Sequence, residues 1–294
     1  MLGAFNEATP DWLAFFMFTF FTDRDGKMQL HALAQSGFDP ISRTCRFMLT
    51  EEAHHMFIGQ SGVGRVIEAT CAAMNKAGIN DPYDVERIRA LGVIDLPTIQ
   101  KRANLHFSLT LDLFGSELST NAANAFQAGL KGRYLEDQID DDHLLSGATY
   151  PVLRLTDGAP KGRTIVREQV PALSALNMRL RDDYVADAGS AVERWWNRII
   201  DRAGIGFRIT LPHVAFNRRI GEFAAIEADT EGNILDPANW ARRRGEFLPS
   251  ADDDAFVASL MRPVREPGQF ASWIAPPRTG IDSKPGDFEY VKLA

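Results

Sequence analysis

Two overlapping Glu-x-x-His motifs lie in one helical stretch near the start of this chain of 294 residues. Glu51 and His54 form the first motif, and Glu52 and His55 form the second, within the largely apolar residues 47–57. Because positions three apart share one face of a helix, each motif places a carboxylate beside an imidazole. In helical bundles such a pair holds one iron of a two-iron centre. The pattern therefore predicts a bundle helix and indicates oxygen-activating chemistry.

Helical spacing alone does not choose between the two motifs. Each motif lies in a stripe that is otherwise apolar, one being Met48, Glu52, His55 and Gly59 and the other Phe47, Glu51, His54 and Ile58. The pair that holds no metal could instead orient the ligands by hydrogen bonds. A further alternative is a non-enzymatic helical scaffold, in which Glu52 and His55 only form hydrogen bonds.

Asp23 is the third candidate metal ligand. It lies three residues after Phe20 and seven after Phe16, so on a helix it projects from an aromatic face. An ionised carboxylate is costly to bury without a partner, and a metal shared with a neighbouring Glu-x-x-His helix would provide one. The alternative is a surface acid paired with Arg24 or Lys27.

Composition excludes several classes of function. A net charge of −7 argues against a nucleic-acid partner, which would need a basic face. Cys45 and Cys71 form no disulfide framework, which suits the reducing cytoplasm. The apolar residues 12–21 are too few to cross a bilayer, and no basic segment precedes them as in a secretory signal. We therefore expect a cytoplasmic protein with no membrane span.

Start and stop signals predict a mainly helical first half. Residues 9–11 combine a cap with proline at the first helical position, and that helix is expected to reach residue 37. Asp39 and Pro40 open the helix with the Glu-x-x-His motifs, which glycines in residues 59–64 are expected to interrupt. Further predicted helices cover residues 66–76, a short segment from residue 81, and residues 97–129.

The second half of the sequence is predicted to be less regular than the first. Residues 136–142 are predicted to be a solvated acidic loop and residues 171–202 an amphipathic helix, with Trp195 and Trp196 among its core residues. Short strands are predicted at residues 207–216 and 223–234, and a Pro/Gly-rich tail from residue 263. We predict two parts, a helical bundle over residues 1–135 and a helical and short-strand extension over residues 136–294.

Other polar residues have simpler interpretations. His31 and His106 are expected to be ordinary core or surface histidines. Asp140 and His143 repeat the motif spacing in a polar acidic run and are discounted, and residues 242–244 are interpreted as a solvated basic turn.

Several segments resemble the oxygenase components of the benzoyl-CoA 2,3-epoxidase family. The similar segments are residues 20–27, 29–30, 36–40, 43–44, 47–57, 271–277 and 287–291. The resemblance implies a class I di-iron protein with a ferritin-like core, of which this chain would form the second helix pair. It implies that Asp23, Glu52 and His55 hold one iron, with Glu52 as the bridge, and thereby favours the second motif. Glu51 and His54 would then orient the ligands or stand as the alternative pair.

The same resemblance implies a function. The family epoxidises benzoyl-CoA at the 2,3 position with O₂ in aerobic benzoate degradation. NADPH supplies the electrons through a separate flavin and iron–sulfur reductase. An oxygenase that acts on another acyl-CoA is the alternative within this class. The residues that contact the benzoyl ring or the coenzyme are not indicated by the sequence.

The ligand set is expected to be incomplete in this chain. The family draws another Glu and another Glu-x-x-His from an earlier helix pair, and nothing before residue 9 can supply them. We therefore expect an N-terminally truncated chain, either a fragment or a mis-called start, that is inactive alone. Those absent helices are also expected to wrap the apolar residues 12–21.

Overall fold

The computed structural model describes residues 3–158, 162–265 and 269–278. Most of this part of the chain is helical, which confirms the predicted mainly α fold. The ten α-helices are α1 (Gly3–Asn6), α2 (Trp12–Leu33), α3 (Asp39–Ala77), α4 (Val85–Ala90), α5 (Leu96–Leu111), α6 (Thr120–Gln127), α7 (Leu176–Ala191), α8 (Arg198–Ala203), α9 (Pro237–Phe247) and α10 (Ala251–Leu260). No helix in the described ranges is long and apolar enough to cross a membrane.

Helix α2 begins two residues later than the sequence pattern suggested. Asp11 is the N-cap, and its carboxylate accepts a hydrogen bond of 2.7 Å from the backbone N–H of Ala14. Pro10 therefore precedes the cap instead of occupying the first helical position. The helix ends at Leu33, short of residue 37.

The prediction that glycines interrupt α3 is wrong. The helix runs without a break through residues 59–64 to Ala77. Gly59 and Gly62 face α2, and a Cβ atom at these positions would overlap the backbone of Phe20 and the ring of Phe16, respectively. Here glycine permits close packing of two helices, and its low helix propensity is outweighed by that packing.

The surroundings of α2 also differ from the expectation. Helices α3, α5 and α7 of this chain pack against α2, so most of its apolar surface is already buried, although Trp12 is 56% exposed. A π-helical segment (Val192–Asn197) between α7 and α8 adds Trp196, whose ring lies 4.3 Å from that of Phe20 and whose Nε1 donates to the Gln60 carbonyl. Its neighbour Trp195, predicted to be a core residue, is 42% exposed.

The predicted long helix over residues 97–129 is two helices. Helix α5 ends at Leu111 and is followed by a short 3₁₀ turn (Asp112–Phe114). Gly115 then adopts a φ of 80°, which a residue with a side chain rarely does, and turns the chain away. Helix α6 starts afresh with Ser119 as its N-cap.

The second half contains a long hairpin that the sequence did not reveal. Strands β1 (Thr149–Gly158) and β2 (Gly162–Pro171) pair antiparallel in a two-stranded sheet. The strand predicted at residues 207–216 is absent from the structure. A second small sheet pairs β3 (Glu227–Ala228) with β4 (Ile234–Leu235), and the chain turns between them where predicted.

One large hydrophobic core joins residues from both sides of position 135, from Leu13 in α2 to Val257 in α10 and Trp273 beyond it. The division of the chain at residue 135 stays a prediction. The similar segment at residues 287–291 lies outside the described residues.

Candidate metal centre

The antiparallel pairing of α2 and α3 sets which candidate residues meet. Contacts follow each other along the interface in a constant register: Phe16 with Gly62, Phe20 with Gly59, Asp23 with His55, and Gly26 with Glu52. Along the interface, the contacts of Gly59 and Gly62 lie on one side of Asp23, and the contact of Gly26 lies on the other. The two helix backbones are therefore held near each other where the polar side chains face.

Asp23, Glu52 and His55 form a compact group of possible metal ligands. One ligand atom from each residue can be chosen so that all three lie within 4.8 Å of one another. The Nδ1 atom of His55 lies 3.7 Å from Oδ2 of Asp23 and 3.9 Å from Oε2 of Glu52. Two atoms that each bind an ion at about 2.1 Å are at most about 4.2 Å apart, and both distances from His55 are below this limit.

Burial disfavours the charged form of both carboxylates. Burial, reinforced by the nearby Glu52 and opposed by His55, raises the pKa of Asp23 to about 6. Burial also raises the pKa of Glu52. The Oε2 atom of Glu52 is buried without a hydrogen-bond partner. A bound cation would favour the charged form of both groups and would satisfy that oxygen.

The sequence did not point to two further residues beside this group. Asp25 is buried on α2, where its carboxylate accepts a hydrogen bond from Gln29, which in turn accepts one from Lys131. Gly26 lies directly against the carboxylate of Glu52. A glycine in the interior of a strong helix pattern was the available signal, since such a residue often has a packing reason.

Glu51 and His54 lie away from the group. Both side chains are exposed on the part of α3 that faces away from α2. The pairing of Asp23 with Arg24 or Lys27 is also absent, because both cations contact Asp187 instead. The structure therefore gathers the second Glu-x-x-His motif with Asp23 and leaves the first motif in solvent.

The outer surface of α3 is unusually apolar for an exposed surface. Phe47 is 73% exposed and Phe57 is 54% exposed, and Met48 lies between them in the chain. Several large apolar side chains exposed along one helix are typical of a contact surface. The His55 side chain is 47% exposed, so the ligand group is accessible from its His55 side.

The remaining candidates behave as ordinary residues or differ in detail. His106 is fully buried, and burial together with Arg102 lowers its pKa to about 3, as for a neutral core histidine. His31 is half-buried against the ring of Tyr134. His143 contacts Glu136 and not Asp140. Residues 242–244 lie in α9 and not in a turn, where Arg243 pairs with Glu246.

Comparison with known proteins gives one clear relationship. No protein-family model matches the chain. The chain is 52% identical over 293 residues to benzoyl-CoA oxygenase component B of Aromatoleum evansii. The alignment includes 100% of this chain and 60% of the relative, so the chain spans less than two thirds of that protein. The similarity confirms the resemblance that the sequence motifs indicated: over its whole length, this chain is similar to a benzoyl-CoA oxygenase component.

Proposed function

We propose that this chain forms part of the oxygenase component of a benzoyl-CoA-oxidising system and that Asp23, Glu52 and His55 hold one iron ion in it. The observation that carries the proposal is the convergence of these three side chains across the α2–α3 interface, with ligand atoms within 4.8 Å of one another. Two carboxylates and one imidazole are a donor set that suits iron better than a soft, thiolate-preferring metal.

The environment of Glu52 supports a cation over a purely structural role. In a scaffold, buried polar atoms would be satisfied by hydrogen bonds. Here Oε2 of Glu52 has no such partner, and its distance of 3.9 Å from His55 is too long for a hydrogen bond. The pair therefore lacks the contacts that a scaffold role requires.

Each residue has a defined task in the proposed site. Asp23 and Glu52 would contribute oxygen ligands to the iron, and His55 would contribute a nitrogen. The bound iron would supply the activation of O₂. The apolar side chains behind the group, including Phe20 and Phe21, keep bulk water from its inner side.

A two-iron centre needs roughly six ligand residues, and this group supplies three. The relative is longer than this chain. We propose that helices corresponding to its additional length pack on the exposed surface of α3 and bring the other ligands beside His55. On this proposal residues 1–294 alone bind iron weakly and do not turn over.

The proposed reaction is epoxidation of benzoyl-CoA at the 2,3 position with O₂, in aerobic cytoplasmic benzoate degradation. The name of the relative gives its substrate as benzoyl-CoA and designates it one component of an oxygenase. We propose that a flavin and iron–sulfur reductase is a further component here and passes electrons from NADPH. An oxygenase acting on a different acyl-CoA is the competing proposal.

Iron binding tests the site. Under anaerobic conditions, we expect Fe²⁺ binding to weaken at least tenfold in each of the variants Asp23→Ala, Glu52→Ala and His55→Ala. Glu51→Ala and His54→Ala are the matched controls, because they change the same residue types on the same helix outside the group. If all five variants bind iron like the wild type, the residues are structural and the proposal is wrong.

Substrate choice needs the complete oxygenase that contains this sequence, together with its reductase, NADPH and O₂. We expect benzoyl-CoA to gain one oxygen atom, detected by mass spectrometry, and phenylacetyl-CoA to react far more slowly. The reverse preference would favour the competing acyl-CoA proposal.

A further inference from the structure

Gly26 occupies an unfavourable position for its residue type. It lies in the interior of α2, which runs from Trp12 to Leu33. Glycine is among the least favourable residues in a helix interior, because it has the most backbone freedom to lose on folding. Its backbone is helical, so no turn or left-handed conformation accounts for it. Its presence therefore calls for a packing reason.

The space beside Gly26 is filled by one group. A Cβ atom built at this position would lie 3.0 Å from Oε1, 3.2 Å from Cδ and 3.4 Å from Oε2 of Glu52. All three of its nearest neighbours thus belong to a single carboxylate. The missing side chain leaves a notch in α2, and the carboxylate of Glu52 occupies that notch.

The notch sets where Glu52 can direct its oxygen atoms. Asp23 is one helical turn before Gly26 on the same helix, and His55 is one turn after Glu52 on α3. The Oε2 atom of Glu52 is buried, has no hydrogen-bond partner and lies 3.9 Å from Nδ1 of His55. No hydrogen bond holds this oxygen, so steric contact with α2 is what fixes its position.

We propose that Gly26 is a positioning residue for the metal group: its notch seats the Glu52 carboxylate at the depth that lets it share one cation with Asp23 and His55. The inference rests on the proposed function and adds to it a residue that binds no metal. It assigns to Gly26 control of ligand geometry and not of helix packing.

Stability and metal affinity should therefore respond in opposite directions to a methyl group at this position. The atoms that must move are the end of a flexible side chain, so Glu52 can shift by a few tenths of an ångström while the helices stay in place. The metal-free protein then keeps the benefit of replacing glycine in a helix. The cation loses the correct position of one ligand.

The first experiment measures Co²⁺ binding by its visible absorption, together with the melting temperature of the metal-free protein. For Gly26→Ala we expect Co²⁺ affinity to fall about 10–100-fold, as for other changes beside metal ligands, while the melting temperature is unchanged or higher. Gly189→Ala is the matched control, because Gly189 lies in α7 and a Cβ there would meet nothing within 4 Å. It should raise the melting temperature by about 2 °C and leave Co²⁺ affinity unchanged.

A double-mutant cycle tests the contact without any metal. In a Glu52→Ala background, Gly26→Ala should raise the melting temperature as much as Gly189→Ala does, whereas with Glu52 present the gain should be smaller. If Gly26→Ala raises the melting temperature equally in both backgrounds, or if wild type and Gly26→Ala bind Co²⁺ with equal affinity, the proposed role of Gly26 is wrong. A wild-type protein that binds no Co²⁺ although the cycle shows coupling overturns the metal site of the proposed function, on which the notch depends.

Discussion

Nδ1 of His55 lies 3.7 Å from Oδ2 of Asp23, across an interface between two antiparallel helices. The two residues belong to different helices, α2 and α3, so local sequence alone does not bring them together. Their approach depends on the neighbouring contact of Gly59, where α3 fits closely against the backbone of Phe20 in α2. The position of the metal group is thus a property of the helix pair.

Gly59→Ala is expected to destabilise the protein by about 1–3 kcal/mol, as overpacking of a tight interface does. A Cβ atom there would overlap the backbone of Phe20, which cannot move without displacing α2. Urea denaturation would measure the loss. Gly245→Ala in α9 is the control, because a Cβ there meets nothing within 4 Å, and it should be neutral or stabilising. Equal effects for the two substitutions would show that the helices are not closely packed at Gly59.

Asp25→Asn is expected to stabilise the metal-free protein at pH 8 by about 4 kcal/mol. Burial raises the pKa of Asp25 from 3.8 to about 7, against the opposing effects of Gln29 and Lys131. Between these two values the folded protein holds a proton that the unfolded chain has released, so this carboxyl lowers stability as the pH rises from about 4 to 7. The neutral amide avoids that cost and can still accept from Gln29.

Urea denaturation of wild type and Asp25→Asn from pH 4 to pH 8 would test whether Asp25 lowers the free energy of unfolding as the pH rises. The two proteins should be about equally stable near pH 4 and should diverge as the pH rises. A variant that is less stable at pH 8 would show that Asp25 is charged and well paired in the folded state.

Metal binding by the group is expected to weaken as the pH falls below about 6. The pKa of Asp23 is raised to about 6 by burial and by Glu52, so a proton competes with the cation for this carboxylate in mildly acidic solution. Isothermal titration with Co²⁺ at pH 5 and pH 7.5 should show about a tenfold difference in affinity from this one proton. Affinity that does not change over this range would exclude Asp23 as a ligand.

Asp253→Ala is expected to cost about 3 kcal/mol or more of stability, because it removes one partner of a buried ion-pair network. The Asp253 carboxylate contacts Arg89 at 2.5 Å and Lys101 at 3.1 Å, and it accepts from the backbone N–H of Ser250 at 2.9 Å. Burial alone would raise its pKa, but these contacts outweigh burial and hold the pKa well below its usual range.

Thermal denaturation would compare Asp253→Ala with Asp252→Ala, a change of the same residue type at an exposed position in the same first turn of α10. The exposed substitution should change stability by less than about 0.5 kcal/mol. If the two variants have the same melting temperature, the ion-pair network of Asp253 does not stabilise the packing of α10.

The sequence located the helices better than it described their continuity. Pro40 placed the start of α3 to within one residue, because its fixed φ suits the first turn of a helix, but the N-cap is Phe38 and its side chain makes no cap hydrogen bond. The glycines at residues 59–64 were misinterpreted as a break, since helix propensity counts only the cost of glycine and not the packing partner that compensates for it. The hairpin of β1 and β2 was missed for a different reason. Most of its residues are not buried, so buried and exposed positions do not alternate along either strand as they would in a half-buried sheet.

By itself, the sequence determined a mainly helical protein with two overlapping Glu-x-x-His motifs, an aspartate on the preceding helix and a resemblance to benzoyl-CoA oxygenases. Only the tertiary structure decided that Glu52 and His55 lie beside Asp23 of α2 while Glu51 and His54 are exposed outside the group. Both motifs have the same local spacing, so the difference arises from the rotation of α3 about its axis. That rotation is set by which face of the helix can pack closely against Phe16 and Phe20, and this depends on residues distant in sequence.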